Sequence, residues 1–302
     1  MTTTATILLI ISAFTHAGWN FISKKEYPTQ AFYLVANTLG VICILPILFL
    51  YWHRIPMITG SVWLFMVISG FFLAAYLATL AGAYRAGDIS IAYPLIRSLP
   101  VIFVFVATLM LGKGHQVSGL LIAGIILIAA GCMVLPMKSF GDFHFKAYQN
   151  ICCFLAVLSA LAVAGYTIVD DEALRRLRDI SGIPFNPIEG TLVYMVLEGI
   201  SCSTWQGIFV LCNAREKHNI RAVFKTSKSA AVITGIGIYL TWGLVLASLN
   251  YVENVSYVAA FRQLSIPLGA IFGMTLLNEP RYLPKKIGIA AIFAGLVLAG
   301  IG

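Results

Sequence analysis

Charge is what this chain has least of. Only 11% of its 302 residues are Asp, Glu, Lys or Arg, against about 25% in an ordinary soluble domain. That is too little to coat a soluble globule. Several catalytic strings are missing as well: there is no GxxxxGK(S/T) loop, no HExxH and no GxSxG elbow. Work driven by ATP through a phosphate-cradling loop, that form of zinc hydrolysis and elbow-type nucleophile chemistry are therefore excluded. The long filter loops of ion channels are missing too. The six cysteines, Cys43, Cys132, Cys152, Cys153, Cys202 and Cys212, form no CxxC and have no metal-ligand spacing. They are expected to act as small hydrophobes in or beside apolar segments. No metal or cofactor is expected.

What the chain has is apolar length: 60% of its residues are hydrophobic. They fall into ten runs, at 6–22, 31–51, 62–84, 89–111, 117–135, 147–169, 191–212, 230–250, 255–276 and 284–301. Each is close to the roughly 20 residues that a membrane-crossing helix needs, and too long for a tilted barrel strand of about ten. The reading is an all-α integral membrane protein with ten transmembrane helices. The stretch before the first run has no basic start, so that run is expected to be a span and not a cleaved signal peptide. Two longer connections, 170–190 and 213–229, carry many of the cations. The first is expected to begin as a short interfacial helix with Leu174 and Leu177 on one side. Asp170 and Asp171, at a helix end, are expected to be solvated.

The two halves repeat. A shift of 165 residues lays Arg97 on Arg262, Leu99 on Leu264 and Asp88 on Glu253. Ala17-Gly18-Trp19-Asn20-Phe21-Ile22 falls on Ala164-Gly165-Tyr166-Thr167-Ile168-Val169, a shift of 147. One repeat is five helices. An odd number turns the second copy over in the membrane, giving two inverted repeats, 1–140 and 141–302. Small-residue helices close both halves, with Gly119, Ala123 and Gly124 in one and Gly288, Ala290 and Gly295 in the other.

This plan resembles the drug/metabolite transporter superfamily, in particular its EamA-type members. The residues that carry the resemblance are His16-Ala17-Gly18-Trp19-Asn20, Ala164-Gly165-Tyr166-Thr167-Ile168-Val169-Asp170 and Leu276-Leu277-Asn278-Glu279-Pro280. It covers essentially the whole chain. The glutamate that the superfamily often has after its fourth span has no counterpart here, where Leu111-Gly112-Lys113-Gly114 stands. The resemblance implies a secondary transporter, not an enzyme, in a bacterial inner (plasma) membrane. Its members include exporters of amino acids and metabolites and exchangers of sugar phosphates.

Arg97 and Arg262 are the leading candidates for chemistry. Arg97 lies about eight residues into its run, roughly 12 Å of helical rise, which is deeper than a side chain snorkels. An arginine at that depth is expected to face a wet cavity or a counter-ion. Its guanidinium fork matches a carboxylate or phosphate. The alternative is an internal ion pair with Asp88, Glu198 or Glu253. Pro94, Pro100 and Pro267 sit in the same two helices, where freed backbone groups can face a cavity or mark an inert kink. His16 and Asn20 share a helix face with Trp19 beside it. They are read as cavity lining, with His16 either a proton carrier or a partner in an interhelical hydrogen bond. Tyr166 and Thr167 stand at the repeat-equivalent places, and Tyr93, Tyr257 and Gln263 lie near the arginines. Asn37, Tyr76, Tyr84, Arg85, Tyr239, Trp242 and Asn250 are expected chiefly as packing or belt residues. Glu198, alone among apolar neighbours, is open to titration or to pairing an arginine.

The sequence thus points to alternating access around a cavity lined by the first, third, fourth, sixth, eighth and ninth spans. The expected partners are a small acidic or zwitterionic metabolite, the lipid bilayer, and a coupling proton or counter-substrate, with no nucleic acid. A lipid-carrier flippase of the same fold and a membrane enzyme acting on lipid-linked substrate are the alternatives. The net charge is +8, and most Lys and Arg fall in odd-numbered loops, among them Lys24, Lys25, Lys138, Lys225, Lys228 and Arg281. These loops are expected in the cytoplasm, with both termini outside.

Overall fold

The structure, a computed structural model, describes residues 2–24, 29–86, 89–114, 117–135, 137–142, 149–179, 186–276 and 280–301, without the side chains of 24, 84, 89–94, 142, 272, 273 and 276. All regular elements among the described residues are helices: α1 (Thr3–Lys24), α2 (Gln30–Ile44), α3 (Pro46–Leu50), α4 (Gly60–Ala86), α5 (Ile89–Met110), α6 (Gly119–Val134), α7 (Ile151–Arg178), α8 (Pro187–Leu211), α9 (Ala214–Thr226), α10 (Lys228–Ser248), α11 (Val255–Phe261), α12 (Ser265–Leu276) and α13 (Leu283–Ile301), with short 3-10 turns between some of them. Among the described residues, six helical stretches are long and apolar enough to cross a membrane: Thr3–Ser23, Gln30–Leu50, Gly60–Ala83, Ile151–Arg178, Lys228–Tyr251 and Leu283–Ile301. By length and composition this is a multi-pass membrane protein.

Polar residues start the helices where the sequence leaves an apolar run. Thr29, Ser118, Asn150 and Asn254 each accept an amide N–H of the first turn of α2, α6, α7 and α11. Asn186 and Glu189 form a reciprocal cap on α8, with Pro187 at its first position. The outside of the bundle is apolar: Ile7, Phe14, Phe49, Ile126, Phe154, Leu240 and Val297 are all exposed. Exposure on that scale suits acyl chains and not water.

The expected loop at 170–190 is corrected. α7 runs on through Arg178, and Leu174 and Leu177 are buried as its continuation rather than laid on an interface. The basic connection at 213–229 is also helical: α9 occupies most of it and turns 117° away from α8. Its Glu216 carboxylate is fully buried against the Arg85 guanidinium and accepts the Ala31 amide at 3.2 Å. A carboxylate at the start of α2 satisfies an amide that has no helical partner. The ninth apolar run, expected as one helix, is divided. A 3-10 turn at Arg262–Leu264 separates α11 from α12. Pro267 offers no N–H to the Gln263 carbonyl, which favours tighter winding at that point.

Helix packing comes in matched pairs. α4 lies along α7 and α1 along α10; α5 meets α7 and α12 meets α1; α2 meets α10 and α8 meets α4; α6 lies along α13. Glycines permit the closest of these approaches. A Cβ on Gly124 would stand 2.5 Å from the Gly295 carbonyl oxygen, and one on Gly131 2.8 Å from that of Gly288. Lipid provides no hydrophobic drive for helices to associate, so this close van der Waals contact is a main source of cohesion.

Candidate functional site

Polar side chains gather in one cavity at the centre of the bundle. α1 contributes Ser12, His16 and Trp19, α5 contributes Arg97 and Pro100, and α7 contributes Tyr166 and Thr167. Tyr239, Thr241 and Trp242 come from α10, and Arg262 and Gln263 from the 3-10 turn. Pro100 is therefore a lining residue, and the 3-10 turn directly before α12 brings Arg262 to the wall.

The arginines enter from different helices and are held differently. Arg97 presents Nη1 and Nη2 to His16 Nε2, both at 3.2 Å. A guanidinium can only donate, so Nε2 accepts and carries no proton in this arrangement. Arg262 donates from Nη2 to the Tyr166 hydroxyl at 3.0 Å and from Nη1 to Thr167 Oγ1 at 3.3 Å. Its guanidinium carbon also stands 5.6 Å from the Tyr166 ring centre and 5.1 Å from that of Trp242. The two rings meet edge to face at 5.0 Å, so cation–π attraction and two hydroxyls hold this charge. No carboxylate lies within ion-pairing distance of Arg262 among the described residues. Among the described residues the pairing expected as an alternative is absent at that arginine: Glu198 is engaged elsewhere, and the backbone carbonyl of Glu253 accepts from Arg175. Asp88 lies outside the described residues.

Trp19 is buried, and its Nε1–H has no hydrogen-bond partner among the described residues. A buried indole N–H normally finds an acceptor. Here it belongs to a cavity-lining side chain that packs edge to face on His16, with ring centres 4.8 Å apart.

Of the residues singled out from the sequence, Arg97, Arg262, His16, Trp19, Tyr166 and Gln263 line the cavity. Two do not. Asn20 turns back and donates Nδ2 to the His16 carbonyl at 3.0 Å. Tyr257 is buried within α11 away from the lining. The side chains of Tyr93 and Pro94 lie outside the described residues, as does Glu279. Four of the cysteines are buried, while Cys43 and Cys212 are exposed.

The wall also includes helices not expected in it. α2 brings Asn37, and α8 brings Glu198, Gly199 and Cys202. Asn37 is fixed by the Tyr239 hydroxyl at 2.7 Å and by Ser203 at 2.9 Å. Trp242, expected as packing, is a platform for Arg262. Tyr239 and Trp242 are three residues apart and share a helix face, a spacing that could have pointed to them as a pair. Asp170, expected to be solvated, is fully buried and bonded to Ser69 and Tyr194. Asp171 is buried too and pairs with Arg175 Nε at 3.0 Å. Both follow from α7 continuing for two more turns past 170 into the bundle.

A solved structure described only as a crystal structure of a protein shares this fold, with a TM-score of 0.70 at 15% identity over 100% of this chain and 98% of that chain. No family model matches the sequence, and no curated protein does. A likeness at that identity speaks for the fold alone.

Proposed function

We propose that the protein is a secondary transporter built as two inverted five-helix repeats, 1–140 and 141–302. It moves a small acidic or zwitterionic metabolite by alternating access. The observation that carries this reading is that Arg97 and Arg262 enter one central cavity from opposite halves of the chain. Guanidinium groups held by neutral partners, as Arg262 is, keep their charge available to a ligand. The partnerless Trp19 N–H adds a donor suited to an oxyanion.

The helix pairings support the repeat. The most extensive pairings between helices of unlike position have counterparts in the other half: α4 on α7 and α10 on α1, α5 on α7 and α12 on α1, α2 on α10 and α8 on α4. The register agrees as well: Gly70 packs on Ser201, and Gly235, 165 residues later, packs on Ala36, 165 residues before Ser201. Counted as spans, the ten are α1, α2 with α3, α4, α5, α6, α7, α8, α10, α11 with α12, and α13. The halves rock about the cavity, and both arginines follow the substrate.

The test uses purified protein in proteoliposomes, challenged with carboxylates, phosphates, phosphonates and amino acids. Saturable uptake of one class, with a matching rise in melting temperature on binding, is the expected result. Uptake of none of them overturns the reading. Chemical turnover of a lipid-linked headgroup in the same vesicles would replace it with the enzyme alternative, and lipid movement between leaflets with the flippase.

A further inference from the structure

Behind Arg262, on the far edge of the Trp242 indole, lies a group that the anion-binding residues do not use. Ser69 on α4, Asp170 on α7 and Glu198 on α8 are all fully buried. Ser69 Oγ stands 2.5 Å from Asp170 Oδ1 and 2.6 Å from Glu198 Oε1. A hydroxyl owns one hydrogen. It can donate to only one of two carboxylates, and the other contact, at a length typical of O–H···O⁻ bonds, needs a hydrogen from the carboxyl side.

The remaining bonds decide which carboxyl brings it. Asp170 Oδ1 already accepts the Tyr194 hydroxyl at 2.7 Å, so it is the natural acceptor for Ser69 as well. Glu198 Oε2 accepts the Trp242 indole N–H at 2.9 Å, which leaves Oε1 to carry the hydrogen and donate it to Ser69 Oγ. The chain then reads Glu198 Oε1–H to Ser69 Oγ–H to Asp170 Oδ1. Asp170 Oδ2 is buried without a partner among the described residues, so this carboxylate is short of donors, not of acceptors. None of the ion pairs among the described residues involves Asp170 or Glu198. Among the described residues, the ionisable groups nearest the pair are the phenols of Tyr194, Tyr166 and Tyr239 and the thiol of Cys202, with Arg262 across the Trp242 indole. Phenols and thiols ordinarily lose a proton well above neutrality, so two bare carboxylates here would have no compensating cation in contact.

We propose that Glu198, bridged by Ser69 to Asp170, is a proton-binding site in the wall of the cavity. Glu198 itself lines the cavity, so the proton exchanges with the cavity through this carboxyl. Loading leaves the pair with a single negative charge, and unloading leaves two. Arg262 stands over the same indole whose edge bonds Glu198, so the second negative charge competes with a bound anion for this guanidinium. On the transport reading above, on which this last step rests, proton and anion load together and the proton is the coupling ion.

The test needs no substrate. Infrared difference spectra of the full-length protein in lipid, in H2O and D2O at neutral pH, report a protonated carboxyl by its carbonyl stretch and its isotope shift. The expected result is one such band in the wild type, lost in Glu198→Gln and kept in Glu216→Gln. Ser69→Ala, which removes the acceptor, moves the band to higher frequency. A wild-type spectrum without a protonated carboxyl overturns the proposal whether or not any variant folds. A band that survives Glu198→Gln, or that Ser69→Ala leaves unmoved, overturns it too. The spectra and the uptake screen fail independently. A band without anion uptake leaves the proton site standing and removes the transport reading, and uptake without a band does the reverse.

Discussion

Arg97 ends on an imidazole, 3.2 Å from His16 Nε2, whereas Arg262 ends on a phenol, a threonine hydroxyl and the faces of two aromatic rings. The same contrast recurs behind them. Around Arg262 lie Ser69, Asp170 and Glu198. The residues 165 or 147 positions away in the other half are Thr234, Ser23 and Tyr33, all buried and none of them acidic. The lesson is that backbone approach and polar content are set separately. Small residues govern how closely the helices come, as at Gly70 on Ser201 and Gly235 on Ala36. The side chains that fill the polar places differ, so the cavity has two unlike walls.

The largest expected effect falls on the arginines. Arg97→Gln and Arg262→Gln each remove a charged hydrogen bond to an acidic ligand, worth about 1.5–3 kcal/mol, and so weaken binding roughly 10- to 150-fold. Melting behaviour stays close to wild type because glutamine remains polar. Unequal losses would show which wall carries more of the substrate's charge. Both variants transporting normally, or both unfolding, would sink the shared-site reading.

Packing is the next test, and it asks whether the walls share one frame. Gly131→Leu and Gly295→Leu each force a side chain into the α6–α13 contact, where each glycine faces a carbonyl oxygen, an amide nitrogen and an isoleucine Cγ1. Overpacking of this kind costs about 1–3 kcal/mol, read as thermal destabilisation in detergent. Gly207→Ala, where a Cβ meets nothing within 4 Å, should be close to neutral. One glycine of the pair tolerating leucine while the other does not would break the equivalence.

A smaller effect is expected at Trp19. Trp19→Phe removes its partnerless N–H, a neutral donor worth about 0.5–1.5 kcal/mol to a bound acceptor, or roughly 2- to 12-fold in affinity. None of the described residues loses a hydrogen bond, so any change in fold stability comes from the smaller ring. Titration of the bound metabolite by calorimetry decides this, and unchanged affinity would remove Trp19 from the binding set.

The smallest effect concerns the turns of α7 that α1 lacks. Glu172 and Arg176 pair there at 2.8 Å, but both are more than a third exposed, so solvent and salt screen them. Glu172→Gln should cost only about 0.3–0.5 kcal/mol, less at high salt, by chemical unfolding. A loss of several kcal/mol would mean that this extension holds the second wall in place.

Much of this was legible in the residues. Ten apolar runs gave helices at every run, because a continuous apolar stretch of that length has few other ways to satisfy its backbone in lipid. Arg97 and Arg262 stood out because charge within such runs is costly, and the cavity does bring them together. Asp170 was misread, since an acidic residue beside Asp171, Glu172 and three arginines looks like a solvated helix end. Local composition carries no information about Ser69, 101 residues away. Asn20 was misplaced for a related reason: sharing a face with His16 does not fix which way a rotatable amide turns, and it closed onto its own helix.

The sequence by itself determined a helical chain with membrane-length apolar segments and the positions of its arginines, because these depend on hydropathy and spacing along the chain. Only the tertiary structure decided that Arg262 rests on Trp242 and Tyr166, and that Ser69 stands between Asp170 and Glu198. Those contacts join α4, α7, α8 and α10 with a 3-10 turn near the other end of the chain. Their geometry comes from how closely glycine-lined helices approach, and that is a property of the packed bundle and of no single segment.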